Sequence, residues 1–209
     1  ARSFRSARLA AVGGLAVTAL ALAGCAGGGG TDASPSAAPN TDATLTVGLV
    51  LEPKSLDIRT VSGAPLEQVL MGNVYQGLVA RTPSGEIDNA LASDYKISDD
   101  NLTYTFTLRE GITFQKDGEL TPSDVVSSLA YARDTPGVVE GQTLAGATTI
   151  VADGNDISIT LVEPDANFLW NLTGRAGLIF DEGDTTELAN AANGTGPFTL
   201  GTWIQGDSI

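Results

Sequence analysis

The sequence contains no histidine and a single cysteine, and these absences exclude several kinds of site. Without an imidazole, neither a Ser-His-Asp triad nor a Cys-His pair can form. One thiol cannot close a disulfide within the chain or build a thiolate metal centre, so we expect no metal and no cofactor. Carboxylate chemistry, of the kind that glycosidases use, is the main enzymatic alternative that remains open.

Basic residues are also scarce. The chain has 11 Lys and Arg against 25 Asp and Glu, which gives a formal net charge of −14. Nucleic acids are bound by basic surfaces that neutralise phosphates, so we exclude nucleic acid as a partner. Hydrophobic residues make up 42% of the chain, which is enough for a folded body with a buried core.

The cysteine follows directly after a short apolar run near the beginning of the chain. Residues 1–8 are basic without an acid, and residues 9–23 are Ala, Val, Leu and Gly apart from Thr18. A basic start, a short apolar middle and small residues at the end are typical of a secretory signal peptide. The run is shorter than the ~20 residues of a membrane-spanning helix. We therefore predict a signal peptide over residues 1–24.

The sequence Leu22-Ala23-Gly24-Cys25 resembles the lipobox of bacterial lipoproteins. The resemblance implies cleavage before Cys25, lipidation of its thiol and acylation of the new amino terminus, which together would give stable anchoring. Residues 26–42 have no large apolar side chain, as is typical of a flexible tether. We predict that residues 25–43 form this lipidated tether and hold the protein at the outer face of the cytoplasmic membrane.

Hydrophobic periodicity predicts the first elements of the folded body. Alternating apolar residues indicate a strand over residues 44–53, and leucines and valines spaced four apart indicate an amphipathic helix over residues 64–80. A β-hairpin is predicted within residues 90–114, with its turn at Asp99-Asp100-Asn101. Thr121 is the predicted N-cap of a further helix that begins at Pro122.

The second half of the body continues with short elements. A second hairpin is predicted over residues 148–164, with its turn at Asp153-Gly154-Asn155. A short helix follows over residues 165–174, and a strand begins within residues 194–209. Helices mixed with short strands and hairpins indicate an α/β or α+β arrangement.

Five motifs together carry a resemblance to a known family. They are residues 52–58 (EPKSLDI), 73–79 (NVYQGLV), 90–129, 157–169 and 194–207. In this order the motifs resemble the family 5 solute-binding proteins of ABC importers, the peptide, nickel and opine group. One departure lies at Gln115, where the family usually has the histidine of a Phe-His-Asp-Gly motif.

The resemblance implies a two-lobed α/β receptor of the periplasmic-binding-protein type II, or Venus-flytrap, fold. Residues 44–209 would form most of its N-terminal lobe, with a flanking subdomain over about 67–175. The second lobe would be absent from this chain.

The implied function is that of a substrate-binding lipoprotein, a monomer that delivers peptides or similar small solutes to an ABC permease. The solute binds between the lobes and closure buries it, so we expect no catalysis. Two alternatives stay open at this point. One is a surface lipoprotein without solute binding, and the other, which we favour less, is a carboxylate-based hydrolase.

Matching positions in the family indicate which residues border the solute. A loop, a tyrosine hydroxyl and a glycine-rich turn near the hinge are implied, namely Ser62, Gly63, Tyr75, Gly194, Thr195 and Gly196. The same residues could instead serve as a plain connector, a core side chain and an ordinary turn. The acidic stretch Asp181-Glu182-Gly183-Asp184 lacks the pattern of a calcium loop, so we interpret it as a solvated loop.

Overall fold

The structure is a computed structural model that describes residues 44–116 and 118–209. The chain divides into two units, and all elements described below belong to the second, Val47–Ile209. The predicted signal peptide, the predicted lipidation site Cys25 and the predicted tether lie outside the described residues. Within the described ranges, no helix is both long enough and apolar enough to cross a membrane.

Helices and strands alternate irregularly along the second unit. In chain order they are α1 (Ala64–Leu70), β1 (Val79–Arg81), β2 (Ile87–Asn89), β3 (Ala92–Ile97), β4 (Thr103–Leu108), α2 (Pro122–Asp134), a 3-10 helix (Gly141–Leu144), β5 (Ala147–Asp153), β6 (Asp156–Leu161), α3 (Phe168–Asn171) and a 3-10 helix (Arg175–Gly177). β1 and β2 form a small antiparallel ribbon beside a larger sheet.

The larger sheet has the strand order β3-β4-β6-β5, and each neighbouring pair is antiparallel. Its central strands β4 and β6 place Tyr104 opposite Ile159 and Phe106 opposite Ile157. These four side chains are buried, because alternate residues of a strand point to the same face. Both predicted hairpins are therefore confirmed.

The hairpin turns use residues with left-handed backbone conformations. Asn101 has φ 59° in the turn between β3 and β4, and Gly154 has φ 57° in the turn between β5 and β6. Asparagine and glycine tolerate this conformation best, which is why both turns were visible in the sequence.

Helix α2 begins where the sequence predicts. The Thr121 side chain accepts a hydrogen bond from the Asp124 backbone N–H, and the Asp124 carboxylate accepts one from the Thr121 N–H at 2.8 Å. This reciprocal pair is a capping box, with Pro122 in the first turn. Val125 and Leu129 on the inner side of the helix are fully buried against the sheet.

Buried side chains form two apolar clusters. The larger cluster combines the inner face of the sheet with α2 and α3. The smaller cluster surrounds α1 and comprises Leu56, Ile58, Leu66, Leu70, Val74, Tyr75, Leu178 and Ala192.

The helix predicted over residues 64–80 is wrong beyond Leu70, where α1 ends. The Asn73 side-chain amide donates to the carbonyl oxygens of Gln68 and Val69, at 3.0 and 3.1 Å. These carbonyls have no partner within the helix, so the amide caps its C-terminal end. Gly72, with φ 73°, then turns the chain away from the helix axis.

Two predicted strands are also wrong. Among the described residues, 44–53 and 194–209 form no strand, although Ile204 and Ser208 make an isolated bridge. A strand needs a neighbour for its backbone hydrogen bonds, and here the contact between the two segments is made by a side chain. The Glu52 carboxylate accepts from Trp203 Nε1 at 3.2 Å and from the Gly206 N–H at 2.8 Å.

Candidate functional site

A cleft of about 470 Å³ opens between α1, the segment that follows it and the 3-10 helix Arg175–Gly177. Its lining combines backbone and apolar groups with two basic and two acidic side chains, those of Arg81, Arg175, Glu67 and Glu140. A concave site with a few converging charged groups is the usual form of a small-molecule site, so this cleft is the candidate.

Arg175 is the most buried of the four charged residues, with 5% of its side chain exposed. Its Nη1 donates to the Val61 carbonyl oxygen at 2.7 Å, and its Nη2 lies 3.0 Å from Glu67 Oε1. Its backbone N–H donates to Glu140 Oε2 at 2.8 Å. Arg175 therefore connects the loop before α1, α1 itself and the residue that precedes the first 3-10 helix in one charged network.

Glu140 takes part in this network from an unusual backbone position. It has φ 62°, which places a non-glycine residue in the left-handed region and is uncommon. Its carboxylate satisfies the Arg175 backbone N–H at the start of a 3-10 helix, where such donors lack partners within the helix. The strained backbone thus brings an acid to the wall of the cleft.

Arg81 provides the second cation of the cleft. Its guanidinium Cζ lies 3.9 Å from the ring centroid of Trp170, which is within the range of a cation–π contact. Its Nη2 donates to Thr173 Oγ1 at 3.2 Å, and that hydroxyl donates to the Trp170 carbonyl oxygen at 2.7 Å. The guanidinium is consequently held in one orientation while the residue as a whole remains exposed.

Tyr75 is one of the residues around the cleft and is fully buried. Its hydroxyl oxygen accepts a hydrogen bond from the Asn193 backbone N–H at 3.3 Å, and its ring centroid is 4.7 Å from that of Phe180. Burial raises the pKa of Tyr75 to about 12, against the weaker lowering effect of the Asn193 N–H. The phenol therefore stays neutral at physiological pH and acts as a wall and an anchor.

The glycine-rich segment Gly194-Thr195-Gly196 packs against the backbone next to Tyr75. The Gly196 N–H donates to the Val74 carbonyl oxygen at 2.9 Å. A Cβ atom at Gly194 would collide with the same carbonyl, so this approach requires glycine. Thr195 Oγ1 donates to Gln76 Oε1 at 3.1 Å, and Gln76 also lines the cleft.

The structure thus brings together Tyr75, Gly194, Thr195 and Gly196, four of the six residues that the family resemblance indicated. Ser62 is exposed, and Gly63 precedes α1 with φ 150°. Both follow Val61, whose carbonyl oxygen holds Arg175. The loop is therefore connected to the cleft through its backbone.

The sequence interpretation missed Glu67, Arg81, Glu140 and Arg175. A signal for Arg175 was present, because it is the single charged residue of the otherwise uncharged stretch 166–180. A lone charge in such a stretch is buried only when it is paired. For Glu140 and Arg81 the local sequence holds no comparable signal.

Comparison with known proteins identifies the family. The family model described as bacterial extracellular solute-binding proteins, family 5 middle, matches residues 86–209. The chain therefore belongs to the family 5 bacterial extracellular solute-binding proteins, as the resemblance in the sequence implied.

Individual relatives agree with this assignment. The glutathione-binding protein GsiB of Escherichia coli (strain K12) is 33% identical over 150 residues, which cover 69% of this chain and 29% of GsiB. The protein DppA from Helicobacter pylori, solved with the peptide STSA, has a TM-score of 0.64 and 31% identity over 72% of this chain and 35% of that chain.

A further structure supports the fold. The binding protein AgaA from A. tumefacien R10, solved with agropinic acid, has a TM-score of 0.67 and 27% identity over 74% of this chain and 32% of that chain. The expected α/β fold of the periplasmic-binding-protein type is confirmed for the part that this chain covers. The chain spans 29% of the length of the curated relative GsiB.

Proposed function

We propose that this chain is part of the solute-binding component of an ABC importer, and that its cleft binds the charged groups of a peptide or a similar small solute. The observation that carries the proposal is the buried guanidinium of Arg175, held between the Val61 carbonyl and the Glu67 carboxylate. Arginine binds carboxylates through several directed hydrogen bonds, and its cost of burial is offset only by such partners.

The cleft contains two basic and two acidic side chains, which favours a solute that carries both a negative and a positive group. Arg81 has one Nη donating to Thr173 and remains exposed, so it can receive a carboxylate of the solute. Glu67, with 42% of its side chain exposed, and the exposed Glu140 can receive an amine. A short peptide offers both groups, and its binding requires no bond to break, so we propose a binding role without catalysis.

The ligands named for the relatives fit this charge pattern. GsiB is named for glutathione, and DppA was solved with the peptide STSA. Both ligands are peptides, with carboxylate and amine groups, and agropinic acid in AgaA is also an acid. We propose the same class of solute for this protein.

The proposal includes the domain organisation expected from the sequence. We propose that residues 44–209 form most of the N-terminal lobe, with a flanking subdomain over about 67–175. Support comes from the two apolar clusters and from exposed apolar side chains on segments without strand partners, namely Val47, Val50, Leu51, Phe198 and Ile204. We propose that these side chains contact the remainder of a longer receptor, whose second lobe completes the site and whose closed form the permease recognises.

We also propose that the protein is a monomer tethered through lipid on Cys25 at the outer face of the cytoplasmic membrane. Intact-mass analysis of the membrane fraction tests this. A lipidated peptide beginning at Cys25 is the expected result, whereas a peptide with an unmodified thiol at this position would contradict the anchor.

Calorimetric titration with glutathione tests solute binding, carried out on the full-length gene product. Arg81→Gln should weaken binding by about tenfold or more, because a hydrogen bond to a charged group contributes about 1.5–3 kcal/mol. Lys96→Gln, an exposed change on β3, is the matched control and should leave the affinity unchanged. Equal binding by the Arg81 variant and the wild type would contradict the proposed cleft.

A further inference from the structure

Arg59 does not line the cleft, but its guanidinium lies close to two aromatic rings. Its guanidinium Cζ is 4.9 Å from the ring centroid of Tyr131 on α2 and 5.1 Å from that of Phe180. Both distances are within the range of a cation–π contact. One side chain therefore joins the loop before α1 to a helix of the larger cluster and to the chain that follows the second 3-10 helix.

The loop around Arg59 is otherwise closed on itself. The Asp57 carboxylate accepts from the Arg59 N–H at 3.0 Å and from Thr60 Oγ1 at 2.6 Å. The Val61 N–H donates to the Asp57 carbonyl oxygen at 3.0 Å. These bonds fix the shape of the loop but do not attach it to neighbouring elements.

Arg59 attaches the loop to those elements at both its backbone and its side chain, alongside the buried side chains of Leu56 and Ile58 and the bond between Val61 and Arg175. Its carbonyl oxygen accepts from the Val139 N–H at 2.8 Å. Its Nε is buried without a hydrogen-bond partner and lies 3.8 Å from Asp57 Oδ1, beyond hydrogen-bond distance. The guanidinium thus contacts the two rings and lies at ion-pair distance from Asp57 without a direct hydrogen bond.

The same loop holds the buried cation of the cleft. Arg175 Nη1 donates to the Val61 carbonyl oxygen at 2.7 Å, and the Ile58 carbonyl oxygen lies 3.5 Å from the same nitrogen. These two carbonyls flank Arg59 in sequence. A shift of the loop would therefore move the acceptors that orient Arg175.

One of the two rings near Arg59 also contacts a residue that lines the cleft. Phe180, on one side of Arg59, packs against Tyr75 with ring centroids 4.7 Å apart. Tyr75 lines the cleft and anchors Asn193 through its hydroxyl. Two routes of direct contact, one through the loop and one through Phe180, thus connect Arg59 to the candidate site.

We infer that Arg59 is a positioning residue, which sets the loop and thereby the position of Arg175, whose buried positive charge lies in the same cleft as Arg81 and supports the binding of the solute carboxylate there. This inference rests on the proposed function of the cleft. Lysine at this position would keep the charge but would lose the planar group that contacts both rings at once. The conservative change Arg59→Lys is therefore the informative one.

The test compares the wild type with Arg59→Lys and Arg59→Gln, with Arg133→Lys on α2 as the control for the same chemical change. The first readout is the ratio of affinities for glutathione and for glutathione with both carboxylates amidated. A variant that misplaces Arg175 should lower this ratio about five- to tenfold. General destabilisation of the protein would weaken the binding of both ligands equally and leave the ratio of affinities unchanged.

The second readout is amide hydrogen exchange without ligand. The amides of Val61 and Val139 should exchange at least about tenfold faster in Arg59→Lys, with Arg133→Lys unchanged. Unchanged exchange at both amides would overturn the inference, whether or not glutathione binds. Wild-type protein that binds no glutathione would contradict the proposed function alone, and an unchanged affinity ratio in a protein that does bind would overturn the role of Arg59.

Discussion

At the scale of single residues, Gln115 forms hydrogen bonds that hold the glycine-rich segment, which has no strand partner among the described residues. Its side-chain amide donates to the carbonyl oxygens of Gly196 and Phe198, at 3.0 and 2.6 Å. Its backbone N–H donates to the Gly194 carbonyl oxygen at 2.9 Å. Gln115 thus holds the glycine-rich segment in place beside the segment that contains Tyr75.

Gln115→Glu tests this role. The change exchanges the two donating protons for a carboxylate that faces two carbonyl oxygens, so we expect a loss of about 2–3 kcal/mol in the free energy of unfolding. Urea denaturation at pH 7 measures the loss, with exposed Gln142→Glu as the control. Equal losses in the two variants would show that Gln115 does not hold the segment.

Tyr75 gives the protein a specific response to high pH. Its pKa of about 12 in the folded protein lies above the ordinary value of 10.0, because burial disfavours the phenolate. The folded state therefore keeps its proton while the unfolded state loses it. This contribution to stability is complete below pH 10 and is lost as the pH rises through about 12.

Tyr75→Phe removes this titration. Between pH 9 and pH 11 the wild type should lose about 1 kcal/mol more of its unfolding free energy than the variant does. Chemical denaturation at the two pH values measures the difference. Tyr95→Phe, at a half-buried position on β3, is the matched control for the same change of side chain. A Tyr75→Phe curve parallel to that of the wild type would contradict the assigned pKa.

At the scale of elements, the approach of the glycine-rich segment to the segment after α1 depends on missing side chains. Gly194→Ala would push a methyl group into the Val74 carbonyl oxygen, so the two segments must separate. We expect a loss of about 3 kcal/mol or more, at the upper end of the effects of single substitutions.

Thermal unfolding compares this variant with Gly201→Ala, where an added Cβ would meet nothing within 4 Å. The control should stay close to the wild type. Similar midpoints for both alanine variants would mean that the close approach is not required for folding.

The elements differ in how far the sequence could predict them. The hairpins and α2 were predictable because their signals are local, such as the turn at Asn101 and the cap at Thr121. The helix over 64–80 was predicted too long because the spacing of its apolar residues continues after the helix ends. Val74 packs in the smaller cluster and Leu78 in the larger one. The regular spacing of apolar residues after Leu70 therefore arises because these residues enter two separate clusters, and not because they share one face of a helix.

The candidate site could be predicted only in part, because some of its residues meet only through contacts between distant parts of the sequence. The family motifs led to Tyr75 and to the segment around Gly194, which the structure places together. The charged lining depends on contacts between residues far apart in sequence, such as Arg175 with Glu67. No local pattern encodes such contacts, so they required the structure.

At the scale of the whole molecule, the chain spans 29% of the length of GsiB, and we propose that its cleft forms one face of a solute site. The cleft offers two guanidinium and two carboxylate groups, and the apolar side chains around Val50 and Phe198 remain exposed. A charged site and an exposed apolar surface on one chain are what the proposed half of a two-lobed receptor requires.

We propose above all that the cleft recognises the carboxylate of a small peptide. The most direct measurement is calorimetric titration of the full-length protein with glutathione and with its dimethyl ester, because changing the ligand leaves the fold intact. We predict binding of glutathione and a loss of affinity of about tenfold or more for the ester. Equal affinity for both ligands, or no binding of either, would contradict the account.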